Sequence, residues 1–286
     1  MSWKNTSIDI LSKLLRPGVS ADVAAAFLST PLKLAAPRKE VALHNLTLAL
    51  PDATPEEKKE ILHQTYEHLV WTGIEFIVLQ RDPRQALDWV EAENSELLED
   101  LDGKGAILLT GHIGNWELTA AWVAQSGRSG HKLTAIVRES EDDSERSLIE
   151  NMRSHVGVMS LSKRAPMTRA LAILKRGEFL GILPDQHGGL DGIMAPFFGV
   201  ETSTSPGAAV FAHLTKKPLI PVYSHRIAPF RHKIRVGNPI EWTPQASRDE
   251  TILNITTKIN AVVEQMVREA PGQWLAQHRR FREIQR

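Results

Sequence analysis

The chain has 286 residues, enough for one large domain or two small ones, and its hydrophobic (42%) and charged (24%) contents are typical of a globular fold. It contains no cysteine, which excludes thiol nucleophiles, thiolate metal sites and disulfides. Its 34 basic and 34 acidic residues cancel, so no overall field favours binding to nucleic acid.

The first hundred residues are predicted to be mainly helical. Apolar residues recur at helical spacing over residues 8–15 and 41–50. Thr54-Pro55-Glu56-Glu57 then combines a capping residue, a proline at the first helical position and acids in the first turn. This pattern predicts a long helix that runs to about Leu79.

The segment Ala21–Ala36 is rich in apolar residues but is interrupted by Pro31 and Lys33. It is compatible with a core helix or with a helix lying in a membrane interface. No stretch approaches the roughly 18 apolar residues needed to span a bilayer, and the N-terminus lacks the pattern of a signal peptide. We therefore expect any membrane attachment to be peripheral.

From Gly105 onward, short apolar runs alternate with helical patterns. Buried strands are predicted at 106–109, 133–137, 179–183 and 219–223, with an edge strand at 234–236. Helices are predicted at about 115–125, 144–155, 168–175, 207–214 and 250–268. Strands separated by helices indicate an α/β fold with a mostly parallel central sheet flanked by helices. We expect one domain, with residues 1–100 as a helical part and 105–286 as the α/β core.

The most informative stretch runs from Leu108 to Glu117 and reads as strand, glycine-containing turn and helix start. Ligand sites of parallel α/β sheets lie beyond the carboxyl ends of the strands, which is where His112 is predicted. Asn115 is a good N-cap, and Glu117 falls in the first helical turn. We expect Glu117 to fold back onto His112, fix its tautomer and stabilise the imidazolium.

Two other interpretations of these residues remain open. A histidine in a turn before a helix can be an ordinary surface residue, and an acid in the first turn is common because of the helix dipole. His112, Asp185 and His187 could also meet around a metal, although the chain has no His-Glu-x-x-His motif.

Several motifs in fixed order resemble one family, the lipid A biosynthesis late acyltransferases, which includes the phosphatidylinositol mannoside acyltransferases. His112 and Glu117 resemble its His-x4-Glu/Asp motif, although the aromatic-Arg-Pro step is only partly kept at Val137-Arg138. The likeness covers most of the chain. Its other elements are Arg38 with Val41, Asn45-Leu46, Pro51, His68 and Glu75, Arg153, 175–178, 184–186, 196–199, 273–275 and 278–281.

The resemblance implies a glycerolipid-acyltransferase-like fold and a role for each matched residue. His112 is the implied general base, Glu117 its orienting partner, and Asp185 a supporting acid. Arginines are implied to hold phosphate or the oxyanion, since their planar fork binds phosphate bidentately. The implied substrate-binding residues are Asn115, Arg138, Arg153, Arg164 and Gln186. No cofactor or metal is implied.

The implied reaction moves a fatty acyl group from an acyl thioester to a hydroxyl of a glycolipid such as a lipid A precursor. The donor is an acyl-carrier protein or acyl-CoA, and the oxyanion needs donors such as the amides of 113–116. Other implied acceptors are a mannosylated phospholipid or a lysophospholipid. A non-catalytic lipid-binding protein on the same fold remains the alternative from another class.

The resemblance implies a place on the cytoplasmic face of the bacterial inner membrane. Many members of the family carry a spanning N-terminal helix, and because this chain departs from them, we expect peripheral attachment. Amphipathic N-terminal helices near Trp3, Lys4, Lys13 and Arg16 are expected to contact the membrane surface. The basic run Arg279–Arg282 is expected to contact headgroups or an acidic carrier protein, or else to be a solvated tail.

Overall fold

The computed structural model describes residues 3–127, 130–138 and 140–283, with side chains from Ser7 onward. The expected membrane contacts of Trp3 and Lys4 therefore lie outside the described side chains. The helices are α1 (Trp3–Leu14), α2 (Val19–Ala35), α3 (Lys39–Ala49), α4 (Pro55–Leu79), α5 (Gln85–Asp88), α6 (Glu96–Leu101), α7 (Trp116–Gln125), α8 (Asp143–His155), α9 (Met167–Lys175), α10 (Gly207–Thr215) and α11 (Arg248–Glu269). The strands are β1 (Val90–Glu93), β2 (Ala106–Leu109), β3 (Leu133–Val137), β4 (Val158–Ser162), β5 (Phe179–Ile182), β6 (Ile193–Phe197), β7 (Val200–Thr204), β8 (Leu219–Ala228) and β9 (Arg231–Val236).

A seven-stranded sheet forms the centre of the fold, in the order β1-β9-β8-β2-β5-β3-β4. All neighbouring strands are parallel except β8 and β9, which are antiparallel. The α/β class with a mostly parallel sheet and a helical N-terminal part is confirmed. Because β2, β5, β3 and β4 share one direction, their carboxyl ends lie at one edge of the sheet, where the active sites of such folds are found.

Strand β2 lies in the middle of the sheet and is buried on both faces. Ile107 and Leu109 pack into one hydrophobic cluster, whereas Leu108 packs into another. Alternate side chains of a strand point to opposite faces, so helices cover the sheet on both sides. This burial agrees with the continuous apolar sequence of the strand, and it makes the end of β2 a rigid base for the turn that follows.

Helix α4 begins as its sequence predicts. The hydroxyl of Thr54 accepts a hydrogen bond from the amide of Glu57, and the Glu57 carboxylate accepts one from the amide of Thr54 (2.7 Å). This reciprocal capping box satisfies two amides that the first turn would otherwise leave unpaired. It fixes where α4 begins, and hence which of its residues face the sheet.

Helix α2 is only partly a core helix. Ala21, Ala25 and Ser29 are buried, but Phe27 (77% exposed) and Leu34 (82% exposed) project from the surface. No single described helix is long and apolar enough to cross a bilayer; α2 and α3 pass that test only as a pair, bent by 89°.

The structure differs from the sequence-based expectation in the sheet and in one hairpin. Strand β9 does not lie at the edge of the sheet, because β1 pairs beyond it; β1 was missed because its sequence, Val-Glu-Ala-Glu, is half charged. Strands β6 and β7 form a separate hairpin that was also missed. Its turn places Phe198 at a φ of 50°, where asparagine or glycine is the usual signal.

Candidate functional site

Two equivalent turns at the carboxyl edge of the sheet carry the candidate site. Leu109 ends β2 and Ile182 ends β5, and these residues are register partners in neighbouring parallel strands. His112 and Asp185 each follow their strand by the same number of residues. The parallel pairing therefore brings the imidazole and the carboxylate together, although they are far apart in sequence.

Two hydrogen bonds join His112 to Asp185. The ring nitrogen Nδ1 lies 2.9 Å from Oδ1 of Asp185, and the backbone amide of His112 donates to Oδ2 over 3.0 Å. The Asp185 side chain is buried, whereas 21% of the His112 side chain is exposed. The carboxylate thus fixes both the backbone and the ring of His112, and the ring keeps one side open to solvent.

The ionisation of Asp185 determines the tautomer of His112. Burial acts to raise the pKa of this carboxyl group, but the charge of His112 and hydrogen bonds from His112 and Trp274 outweigh it, so the pKa lies below its ordinary value. An ionised carboxylate only accepts hydrogen bonds, so Nδ1 must carry the proton. In the neutral ring, Nε2 then keeps the lone pair that a general base uses.

The segment around Trp274 clamps the turn that carries His112. The amide of Leu275 donates to the carbonyl of His112 (2.8 Å), and the amide of Gly114 donates to the carbonyl of Gln273 (3.0 Å). The indole Nε1 of Trp274 donates to Oδ2 of Asp185 (3.3 Å). This segment matched the family signature in sequence, but no role could be assigned to it there.

Gly114 allows the turn to lie directly against strand β8. Its φ is 58°, and a Cβ at this position would lie 1.7 Å from the carbonyl oxygen of Ser224. The hydroxyl of Ser224 also accepts a hydrogen bond from the amide of Asn115 (3.1 Å). Since only glycine fits here, any side chain at 114 would displace the turn that carries His112.

Asn115 caps helix α7, as its position in the sequence predicted. Its Oδ1 accepts a hydrogen bond from the amide of Leu118 (2.9 Å), and its Nδ2 donates to Oε2 of Glu75 (2.7 Å). The side chain is fully buried. Both ends of its amide bind protein groups away from solvent, so Asn115 has a structural role, and its expected contact with substrate stays a prediction.

Glu117 does not contact His112, and the expected orienting role is corrected. Its carboxylate accepts two hydrogen bonds from Arg153, one from Nε (3.0 Å) and one from Nη2 (2.6 Å). Burial lowers the pKa of Arg153, but the hydrogen bonds and charge of Glu117, with the charge of Glu150, raise it overall. Glu117 sits in the first turn of α7 and faces α8, so Asp185 is the carboxylate that binds the imidazole.

Two side chains flank the imidazole of His112. Nε2 of Gln186 lies 3.4 Å from each ring nitrogen, and the Trp116 ring packs edge-on with centroids 5.2 Å apart. The indole nitrogen of Trp116 donates to Oε1 of Glu117 (3.2 Å). Glu117 and Arg153 are therefore linked to His112 through Trp116, whereas Gln186 lies against the imidazole, and its expected role in substrate binding stays a prediction.

Arg138 and Arg164 follow β3 and β4 at the same edge of the sheet. Both side chains are exposed, and neither has a salt bridge within the described ranges. Their loops are neighbours, since the amide of Lys163 donates to the carbonyl of Val137 (2.8 Å). The expectation that these arginines hold phosphate remains a prediction.

Amides of the His112 turn were expected to stabilise an oxyanion. Those of Gly114 and Asn115 are already bound, to Gln273 and Ser224 respectively. The amides of Ile113 and Trp116 have no hydrogen-bond partner in the described part of the chain. These two remain candidates, and Trp116 lies at the positive N-terminus of α7.

His187 lies apart from the His112–Asp185 pair. Its Nε2 binds Oε1 of Glu283 (2.8 Å), and its Nδ1 accepts a hydrogen bond from the amide of Gly189 (3.0 Å). Over residues 3–127, 130–138 and 140–283, no group of three potential metal ligands converges. The arrangement imagined for a metal, with His112, Asp185 and His187 around one point, is not formed.

A buried polar network lies behind the site and was missed from sequence. Glu75 is fully buried and accepts hydrogen bonds from Arg226 (2.7 and 3.0 Å) and from His232 (3.0 Å). Burial acts to raise the pKa of Glu75, but the charges and hydrogen bonds of Arg226 and His232 lower it by more. The pKa therefore lies below its ordinary value, and the carboxyl group is ionised. Burial and the Arg226 charge lower the pKa of His68, beside Arg226, to about 3. Only His68 and Glu75 had a signal in sequence, as part of the family resemblance.

The basic run Arg279–Arg282 is not a uniform solvated tail. Arg279 and Arg282 are exposed, but Arg280 and Phe281 are fully buried. The guanidinium of Arg280 donates to the carbonyl of Ser203 and to the hydroxyl of Thr204 (2.7 Å each) and lies over the Phe197 ring. The run therefore anchors the end of the described chain and leaves two arginines free for a ligand.

Comparisons with known proteins identify a family and several relatives. Residues 12–283 match the model of a family described as bacterial lipid A biosynthesis acyltransferase. The chain is similar to two proteins of Escherichia coli K12: lipid A biosynthesis lauroyltransferase (26% identical over 259 residues) and lipid A biosynthesis palmitoleoyltransferase (25% over 260). A lipid A biosynthesis acyltransferase of Shigella flexneri is 25% identical over 260 residues. Each match covers 86% of this chain and 79% of the relative.

Proposed function

Because the chain belongs to the bacterial lipid A biosynthesis acyltransferase family, we propose that it transfers a fatty acyl group from a thioester to a hydroxyl of a glycolipid, with His112 as general base. Membership of this family identifies the protein as an acyltransferase. The donor, the acceptor and the mechanism are what we propose. The observation that carries the proposal is the His112–Asp185 pair, in which the buried carboxylate binds Nδ1 of a partly exposed imidazole at the carboxyl edge of the sheet.

The proposed reaction needs one base and one oxyanion site. Nε2 of His112 takes the proton of the acceptor hydroxyl as its oxygen forms a bond to the thioester carbon. The tetrahedral oxyanion is stabilised by the amides of Ile113 and Trp116. Its collapse breaks the carbon–sulfur bond, and the thiolate leaves with the proton from His112. Asp185 stabilises the imidazolium between the two proton transfers, which is consistent with a general-base contribution of roughly 10²–10⁴ in rate.

The donor is proposed to be acyl-carrier protein or acyl-CoA. Both present the acyl group as a thioester. The chain has no cysteine that could take over the acyl group, so we propose direct transfer from the donor to the acceptor hydroxyl. The acceptor is proposed to be a lipid A precursor, since the relatives are described as lipid A biosynthesis enzymes.

Attachment to a membrane surface is part of the proposal. Leu14, Val19, Phe27 and Leu34 are exposed on α1 and α2, where large apolar side chains are costly in water. A helix that buries one face on the protein and exposes apolar residues on the other suits a membrane interface. We propose peripheral attachment to the cytoplasmic face of the bacterial inner membrane, where a thioester donor is accessible.

A thiol-release assay tests the function. Purified protein is mixed with an acyl thioester and a lipid A precursor in mixed micelles, and free thiol and the mass of the lipid product are followed. We expect one acyl group added per thiol released, and no product with His112→Ala. Thiol release with a mannosylated phospholipid or a lysophospholipid, but not with the lipid A precursor, would show that the acceptor is that other lipid. No thiol release across the panel, with lipid binding retained, would identify a binding protein instead.

A further inference from the structure

A cavity of about 550 Å³ opens between the start of α3 and the segment 278–282, and four of its eight lining residues are cations. We call it the basic cavity; it is bounded by Arg38, Lys39, Glu40, His278, Arg279 and Arg282. It joins two parts of the sequence that were singled out separately, the Arg38 motif and the basic run at 279–282. Neither part indicated by itself that they share one cavity.

The charges of the basic cavity are not balanced. Arg38, Lys39, Arg279 and Arg282 stand against a single carboxylate, Glu40. None of the four cations has a salt bridge within the described ranges. Like charges held close together repel, so an anion entering the cavity relieves that repulsion. Three arginines also offer the planar donor forks that match phosphate oxygens.

The start of helix α3 adds a second source of positive potential. Arg38 occupies the N-cap position but makes no side-chain capping hydrogen bond, and its φ of 57° is unusual for a residue other than glycine. The amide of Lys39 already donates to the carbonyl of Ala36 (3.1 Å), whereas those of Glu40 and Val41 have no side-chain acceptor within the described residues. An anion at this position is stabilised by the amides and by the helix dipole.

His278 contributes a polar atom without a partner. Its Nδ1 is buried and makes no hydrogen bond within the described residues. Burial and the charges of His112, Arg282 and Arg38, partly offset by Asp185, lower the pKa of His278 to about 4, so the ring is neutral at neutral pH. A neutral imidazole adds no charge, so the positive potential of the cavity comes from its lysine and its three arginines.

The basic cavity lies between the exposed apolar helix and the catalytic pair. Ala36, which caps the C-terminus of α2, forms part of its wall. On the other side, His278 follows Leu275, whose amide holds the carbonyl of His112. An amphiphile whose acyl chains lie along α2 would place its polar head in the cavity, with a hydroxyl near His112.

We propose that the basic cavity binds a phosphate group carried by the lipid acceptor. The assignment to the acceptor rests on the proposed function, whereas phosphate binding by the cavity does not. The phosphate would fix the position of the glycolipid, so that one hydroxyl faces Nε2 of His112. The arginines of the cavity are then binding residues that determine which lipids are accepted.

Binding of soluble sugars tests the cavity without catalysis. Calorimetric titration of the full chain with glucose 1-phosphate, and with glucose as the phosphate-free counterpart, should show binding of the phosphate ester alone. The double variant Arg279→Gln/Arg282→Gln should weaken that binding at least about 10-fold, since each charged hydrogen bond is worth about that factor. Arg81→Gln, which removes an exposed arginine outside the cavity, should leave it unchanged. Equal binding by wild type and the double variant would overturn the proposal.

Steady-state kinetics tests the assignment to the acceptor. With an acceptor carrying a phosphate, the double variant should raise KM for the acceptor about 10-fold and change KM for the donor and kcat by less than twofold. For an acceptor from which the phosphate has been removed, wild type and the double variant should have the same KM. A rise in KM for the donor instead would overturn the assignment to the acceptor. If wild type releases no thiol, the proposed function fails. The sugar titration then still shows whether the basic cavity binds a phosphate group.

Discussion

Nδ2 of Asn115 donates a hydrogen bond to Oε2 of Glu75 (2.7 Å), and Glu75 is completely buried beneath the turn that carries His112. A carboxylate on α4 thus holds the residue that caps α7. Arg226 and His232 satisfy the rest of the carboxylate, so the buried charge is both neutralised and hydrogen-bonded. The position of the turn that carries His112 therefore depends on a buried polar network.

Glu75→Gln is expected to lower the free energy of unfolding by about 3 kcal/mol, because Arg226 loses its buried counter-charge. Urea denaturation measures this loss. Glu91→Gln is the matched control, since it breaks the exposed pair with Arg231 and should cost less than about 1 kcal/mol. Equal effects of the two substitutions would show that the network does not support the fold.

Asp185→Asn should reduce kcat by about 10²–10⁴ while KM for the acceptor stays nearly constant. An asparagine can present its oxygen to only one of the two His112 donors, and it cannot stabilise the imidazolium by charge. The thiol-release rate at saturating substrate measures the effect. Trp274→Phe, which removes the hydrogen bond to Oδ2 and some buried packing but keeps the carboxylate, should lower kcat much less. Full activity of the Asp185 variant would show that Asp185 does not contribute to the reaction.

Glu117→Gln should lower kcat less than Asp185→Asn does, because Glu117 binds Arg153 rather than His112. Arg153→Gln should produce the same loss, and the double variant should be no worse than either single one, since both substitutions break one ion pair. A double-mutant cycle of kcat and thermal stability measures this coupling. Additive losses would mean that Glu117 acts on His112 independently of Arg153.

The stability of the protein should fall as pH decreases from 6.5 toward 4. His68 has a pKa of about 3 in the folded chain, below the ordinary value of about 6.5, so only the unfolded chain takes up this proton in that range. The free energy of unfolding then rises with pH by up to about 1.4 kcal/mol per pH unit for this proton, and the gain is complete above pH 6.5.

Urea denaturation at several pH values tests this dependence. His68→Gln should reduce the slope between pH 4 and 6.5, whereas His155→Gln, which removes a histidine from the surface, should retain it. An unchanged slope in the His68 variant would assign the pH dependence to other groups.

Phe27→Asp and Leu34→Asp should each weaken binding to phospholipid vesicles by about 10-fold or more, because the loss of a buried large apolar side chain costs roughly 2 kcal/mol. Co-sedimentation with vesicles measures the affinity. Leu190→Asp is the control, since Leu190 is equally exposed but lies in a loop between β5 and β6. If all three variants bind alike, α2 is not the membrane-facing element.

Local sequence signals predicted the elements next to the site well. The capping pattern at Thr54 and the N-cap at Asn115 depend on residues within one helical turn, so they are visible in a single sequence. The buried strands β2 and β5 were equally clear, because a strand covered on both faces needs a continuous apolar run.

The choice of the orienting carboxylate could not be made from sequence. Glu117 is close to His112 along the chain, but the first turn of α7 directs it toward Arg153. Asp185 reaches His112 because β2 and β5 pair in register, and strand order is a property of the whole fold. Arg226 and His232 were missed for the same reason, since strands β8 and β9 bring them to Glu75.

The clamp formed by residues 273–275 has a consequence for biosynthesis. The turn at 112–114 is synthesised early, but its hydrogen-bond partners leave the ribosome only after nearly all of the described chain has been made. A nascent chain that has not yet exposed residues 273–275 therefore lacks the contacts that fix the turn carrying His112.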